Sequence, residues 1–140
     1  MSDSQQFPVA AHALAYLAHK GADAPERAVS STLLAASMPT NPVVVRRVTA
    51  QLARAGLIAT RAGASGGAWL LRPADKITLD EVLRAVDACA PLGKPPPGAR
   101  GCPVGERIPR QVAKAIGLAD AAAQARLGQI TVADLLEETA

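Results

Sequence analysis

The sequence predicts a mostly α-helical fold: a winged helix-turn-helix with a small β-hairpin wing, followed by a long C-terminal dimerisation helix. Three observations predict it. Pro39 stops one helix and Asn41-Pro42 starts the next, which leaves room for only a tight turn. The glycine-rich run Ala62-Gly63-Ala64-Ser65-Gly66-Gly67 separates two strand-like segments. Late in the chain, Ile108, Val112, Ile116, Ala119, Ala123 and Leu127 recur at i, i+4, i+8, i+11, i+15 and i+19, one narrow apolar stripe.

Taken in order, Phe7 to Lys20 reads as an amphipathic helix. Val9, Ala10, Ala13, Leu14, Tyr16 and Leu17 form its apolar face, and Lys20-Gly21 marks its end. Residues 21–28 form a polar loop. Ser30 caps a short helix that runs through Met38 and carries Leu33, Leu34 and Ala35. The next helix runs from Asn41-Pro42 to about Ala55, with Gly56 as the residue that ends it. Val45, Val48 and Leu52 fall on one stripe for a core, while Arg46, Arg47, Ala50 and Arg54 point elsewhere. Leu57 to Arg61 and Ala68 to Arg72 are the two strands of the wing. Residues 73–76 turn the chain, and Thr78 opens a capping box with Glu81, three residues on. The helix it starts extends through Asp87. Cys89 to Gly105 holds five prolines and four glycines, which break every period, so it reads as a loop. The long helix runs from about Glu106 to Gly128, which places Pro109 in its first turn, where a missing N–H costs nothing. Thr131 caps a last short helix, Val132 to Glu137. The expected division is 1–88 for the winged helix-turn-helix, 89–105 for the loop and 106–140 for the dimerisation helix and C-terminal helix.

Charge is distributed unevenly. No Asp or Glu occurs from Arg27 to Ala74, and Arg46, Arg47, Arg54, Arg61 and Arg72 lie between Thr40 and Ala74. A helix carrying arginines beside an arginine-bearing hairpin is a shape that binds nucleic acid, and an acid-free surface favours phosphate. Arg46 and Arg47 are the first candidates. Val43 and Val44 either pack or touch a thymine methyl. Arg61 with Ser65, Gly66 and Gly67 is the candidate wing contact. Ser30 and Asn41, which cap the two helices, complete the candidate DNA-contacting set.

At 140 residues the chain is one compact domain or a small domain with an appended arm. Its only aromatics are Phe7, Tyr16 and Trp69, so the core is built from small side chains and oligomerisation is expected to support it. Residues 1–6 are polar and read as no signal peptide; no apolar run reaches the ~18 residues of a membrane span. Two cysteines are too few for a secreted disulfide scaffold, and a cytoplasmic protein is the simplest reading.

Against this background the residues carry a family resemblance. The run Ser30…Leu34-Ala35…Asn41-Pro42…Val45…Val48…Leu52…Ala55-Gly56-Leu57 resembles the Rrf-two family of bacterial winged-helix transcription regulators. Gly63, Gly66-Gly67, Leu70, Arg72-Pro73, Ile77-Thr78-Leu79 and Val82 look like that family's wing and following helix. Cys102-Pro103-Val104-Gly105 and Ile130-Thr131-Val132-Ala133-Asp134-Leu135 resemble a subgroup without the three-cysteine cluster motif. The resemblance implies a homodimer whose long helix crosses to the partner and whose two heads read a palindromic operator. Departures are Val44 where tyrosine is frequent, Ala68 where an aromatic is frequent, and Ala62 where an arginine usually precedes the first wing glycine. Here the arginine, Arg61, stands one position earlier.

The remaining chemistry is sparse. His12 and His19 lie seven positions apart on the first helix, not the i, i+4 spacing of a helical metal pair, and read as structural or exposed. Cys89 and Cys102 are the redox candidates. Cysteine-ligated iron–sulfur clusters take four thiolates or substitutes; this chain has two, and the position where some family members place an acidic ligand is Pro8. No cofactor is therefore expected. The two thiols are either inert or a thiol switch. Cys102, just before the long helix and flanked by Arg100 and Arg107, is the more exposed to oxidant chemistry. No nucleophile–base pair and no phosphate-cradling glycine motif points to an enzyme. The expected function is a sequence-specific transcription regulator, a repressor in its expected mode, binding double-stranded DNA. The alternatives are a winged-helix module that binds protein, or a regulator answering to a small molecule or a cluster.

Overall fold

The computed structural model describes residues 3–86 and 92–137. Helices α1 (Asp3–His19), α2 (Ser31–Ser37) and α3 (Pro42–Arg54) precede strands β1 (Ile58–Arg61) and β2 (Gly67–Leu70); α4 (Leu79–Ala85) and the long α5 (Pro103–Leu127) follow. Three short 3-10 turns, Pro25–Arg27, Ala74–Lys76 and Ala133–Leu136, lie between or after them. This is the expected winged helix-turn-helix with a long late helix.

The helix starts were written locally. The Ser30 hydroxyl accepts from Leu33 N at 3.2 Å and caps α2. The Asn41 side-chain oxygen accepts from Val43 N at 2.9 Å and caps α3, with Pro42 in the first helical position. α3 ends at Arg54 with Ala55 as its C-cap, and Gly56 follows with φ 78°, a left-handed conformation that glycine adopts without a Cβ clash. At α4 the capping box is complete: Glu81 N donates to the Thr78 hydroxyl, and Thr78 N donates to the Glu81 carboxylate. α4 stops at Ala85 with Val86 as its C-cap, short of the expected end at Asp87, which itself lies outside the described residues.

Three further boundaries differ from expectation. α1 begins a turn early, so Pro8 sits inside the helix rather than in its first turn. Gln6, in that extra turn, is buried. α5 begins at Pro103, not Glu106, because Cys102 is its N-cap: Sγ accepts from Gly105 N at 3.3 Å. Pro109 then falls inside the helix, where it cannot bond the carbonyl of Gly105. The 92–102 loop covers that carbonyl: a Cβ on Gly98 would collide with it. The second strand is Gly67–Leu70 rather than residues 68–72. Arg72 is drawn off instead toward α4, donating to Glu81 Oε1 at 3.0 Å and to the Lys76 carbonyl at 2.6 Å.

The core lies between α1, α3, α4 and the hairpin. Leu14 and Leu17 of α1 face Val44, Val48 and Leu52 of α3, with Ile77, Val82 and Val86 beneath. Small residues such as Ala10 and Ala13 let α1 approach α3 closely. The strands are antiparallel in the register Ile58↔Leu70 to Arg61↔Gly67. Val29 adds an isolated bridge to the wing, exchanging hydrogen bonds with Ala68 at 2.9 and 2.8 Å. This close approach requires Gly67, since a Cβ there would strike the Val29 carbonyl; one on Gly66 would strike that of Arg61.

The chain end returns to this core. Leu79 N donates to the Ile130 carbonyl at 2.8 Å, Val132 N donates to that of Ile77 at 2.9 Å, and Val132 is fully buried. The closing turn is a 3-10 turn, Ala133–Leu136, in place of the expected α-helix. Its cap position is Val132 rather than the expected Thr131, which stands one residue earlier and exchanges hydrogen bonds with Asp134 at 3.1 and 2.8 Å. α5 itself has no buried residue along its 25. Among the described residues no helix is long and apolar enough to cross a membrane.

Candidate nucleic-acid interface

The outer side of α3 is fixed by its inner side. Val44, Val45, Val48 and Leu52 are buried, so a helical period of 3.6 residues turns Val43, Arg46, Ala50 and Arg54 outward, with Arg47 beside them. Val43 is 49 % exposed and remains available to a partner. Val44 is 2 % exposed and sits in the core, so it contacts no DNA; it belongs to the same inward stripe as Val48 and Leu52. Of the two alternatives for this position, packing holds for Val44, whereas Val43 stays exposed.

Between α3, the first turn of α2 and the wing lies a groove of about 620 Å³. Arg46, Thr49 and Ala50 form one wall, Ser30, Ser31 and Thr32 the second, and Thr60 to Ala64 with Gly66 to Ala68 the third. No lining residue carries a carboxylate. Arg46 is exposed on the rim, while Arg47, one residue on, is exposed on the neighbouring face of the helix. Ser31, Thr32, Thr49 and Thr60 were not singled out from sequence. The signal that could have found them is hydroxyl density within the acid-free stretch, at the helix start and one turn after Arg46. Thr49 is partly committed, its hydroxyl donating to the Val45 carbonyl at 2.7 Å.

The other nominated residues are placed as follows. Ser30 and Asn41 stand at the two helix starts with their side chains engaged as caps. Ser65 is exposed in the wing loop, whereas Gly66 and Gly67 are half-buried where the backbone passes close to neighbours. Arg61 borders the groove, but its guanidinium donates to the carbonyls of Ser65 and Pro25 at 3.2 and 3.4 Å and lies 5.9 Å from the centre of the Trp69 ring. Arg72 is held by Glu81 and lies away from the groove. The Thr78 backbone N–H, and then Arg72, hold the Glu81 carboxyl below the ordinary glutamate range.

Along α5, Ile108 and Val112 are 42 % and 41 % exposed, Ala119 and Ala123 are exposed, and Ile116 is half-buried. Leu127 differs from the rest of the stripe, packing with Ile130 against the core. Cys102 is exposed; Cys89 lies outside the described residues. His12 is bonded to the Ser37 hydroxyl at 2.8 Å.

The family model described as Rrf2, an iron-dependent transcriptional regulator, matches residues 3–138 of this chain. YwnA of Bacillus subtilis (strain 168), assigned as an HTH-type transcriptional regulator, is 43 % identical over 83 residues, covering 56 % of this chain and 59 % of that protein. The match therefore spans about three fifths of the length of that curated relative. A crystal structure of a transcriptional regulator from Lactobacillus plantarum is 27 % identical with a TM-score of 0.74, covering 96 % of this chain and 88 % of that one. Another, described as a DNA-binding protein, is 29 % identical with a TM-score of 0.71, covering 94 % and 99 %. The iron in the family description finds no donor set in the described residues: no three His, Cys, Asp or Glu side chains gather there, and the Cys102 sulfur caps a helix.

Proposed function

The chain belongs to the Rrf2 family of transcriptional regulators, and from that premise we propose that it is a homodimeric, sequence-specific DNA-binding regulator acting as a repressor on a palindromic operator. The family and the curated relative are regulators, not enzymes. The observation that carries the proposal is the groove beside α3, walled by Arg46, hydroxyl groups and the wing with no carboxylate. α3 enters the major groove, with Arg46 and Arg47 on phosphate or guanine and Val43 against a thymine methyl. The wing, through Ser65 at its tip, lies on the adjacent backbone. Ser30 and Asn41 set the starts of α2 and α3, Gly67 lets the wing fold close to Val29, and Gly66 lets its loop close over Arg61.

Dimerisation follows from α5. Its 25 residues span about 37 Å, and an apolar stripe of Ile108, Val112, Ile116, Ala119 and Ala123 along that length lacks full cover among the described residues, with only Ile116 half-buried. A second α5 supplies it, and places two reading heads on a dyad with half-sites about 34 Å apart or a multiple of that. Selection of bound fragments from random double-stranded DNA, with sedimentation of the free protein, tests both halves. The expected result is an enriched inverted repeat and a dimer at micromolar concentration. No enriched sequence, with tight binding to a protein partner instead, would favour an interaction module.

Cys102 adds a regulatory reading. Its exposed sulfur is the cap acceptor at the head of α5. Peroxide converts such a thiol to a sulfenic acid with release of water, which changes the cap and the loop folded on it. Operator affinity after peroxide, for wild type and Cys102→Ser, decides it: a response in wild type alone supports the switch, and equal behaviour excludes it.

A further inference from the structure

The geometry points to Arg61 as a positioning residue that fixes the angle of the wing, rather than as a residue that itself contacts DNA; this rests on the DNA-binding reading above. The register of the hairpin decides which way the side chain faces. Directly opposed residues of an antiparallel pair, and residues two apart, share a face. Ile58, Thr60, Ala68 and Leu70 therefore form one face, and Ile58, Ala68 and Leu70 are buried in the core. Ala59, Arg61, Gly67 and Trp69 form the other.

On that second face the guanidinium makes three contacts with its own chain. Nη2 donates to the Ser65 carbonyl at 3.2 Å, inside the wing loop. It also donates to the Pro25 carbonyl at 3.4 Å, thirty-six residues earlier in the chain. The plane stands over the Trp69 ring at 5.9 Å, within range of a cation–π attraction. Pro25 belongs to a segment that is itself anchored. Ala22 is fully buried and its carbonyl accepts from Leu70 N at 2.7 Å, and Arg27 Nε donates to the Asp23 carboxylate at 2.8 Å. One side chain thus ties the wing loop to a fixed segment behind it. The loop has little else to hold it, since Ala62, Gly63, Ala64 and Ser65 are all exposed. A planar, forked donor suits two carbonyls and an aromatic face at once; a lysine ammonium does not replace it.

The test compares Arg61→Gln, Arg61→Lys and Trp69→Phe with wild type. Trp69 is the sole tryptophan, so the emission of the free protein reports this contact directly. Loss of the tie should shift Trp69 emission in both Arg61 variants and speed amide exchange at Gly66 and Ala68, while exchange in α1 and α3 stays as in wild type. Operator affinity should fall by about threefold to tenfold in all three variants, with an unchanged salt slope and no rescue by lysine. The inference is overturned if Arg61→Gln lowers the salt slope by about one unit, Arg61→Lys restores it, and emission and wing exchange stay unaltered. If wild type binds no operator at all, the DNA reading fails, and emission with exchange still decides whether Arg61 holds the wing.

Discussion

Two helices of this chain are amphipathic, and they differ in what covers the apolar side. α3 turns Val44, Val45, Val48 and Leu52 into its own core and is capped at its start by Asn41. α5 is almost twice as long, at 25 residues against 13, and buries none of them. Among the described residues it is tied at its ends: at the head by the 92–102 loop through Cys102 and Glu106, and at the tail by the segment from Leu127 to Val132. A helix that must present side chains to a rigid duplex is useful only if its position is set before contact. A helix that pairs with its own copy can take its final order from the pairing.

Leu52→Ala should separate the two helices most sharply. It opens a cavity under α3 and should destabilise the folded protein by about 2–5 kcal/mol in urea titration, with DNA binding lost as the fold is lost. A cost near that of a surface substitution would mean α3 is not fixed by its own core. Next in size, Val112→Asp with Ile116→Asp puts charge into the uncovered stripe. Sedimentation should show a monomer with its winged half still folded, and operator affinity should fall roughly 100-fold as the two heads lose their link. An intact dimer would place the interface elsewhere. The smallest effect belongs to the junction between wing and α4. Glu81 is held below the ordinary glutamate range by the Thr78 N–H and then Arg72. Its stabilisation is present above about pH 4.3 and is lost as pH falls through the lowered value. The gap in Tm between wild type and Glu81→Gln should therefore be constant at neutral pH and shrink as pH is lowered past the ordinary glutamate range. A gap independent of pH would remove the carboxylate from the account.

Much of the architecture was legible because it is local. Ser30, Asn41 and Thr78 with Glu81 bond backbone within three residues, so a cap can be read from adjacent letters. The wing was legible from its glycines, although their reason is collision with Val29 and Arg61 rather than flexibility. What sequence could not show is decided at long range. Val44 is buried because α1 packs over it. Pro109 is a local exception: it sits inside α5 because Cys102, bonding Gly105 N three residues on, caps the helix one turn early, and a thiol is not one of the usual oxygen caps. Val132 joins the core through a bridge to Ile77 across more than fifty residues. Of the candidate site, Arg46 and Val43 were legible from their spacing against the apolar stripe. The engagement of Arg61 was not, because Pro25, its distant acceptor, carries no sequence mark.

The central claim is that the arginine face of α3 binds DNA phosphate or base edges. The measurement that tests it most directly is the salt dependence of operator affinity for wild type and for the Arg46→Ala, Arg47→Ala double variant. The account predicts weaker binding by the variant and a shallower slope, by about one unit for each phosphate no longer neutralised. An unchanged affinity and an unchanged slope, with the variant still folded and dimeric, would contradict it.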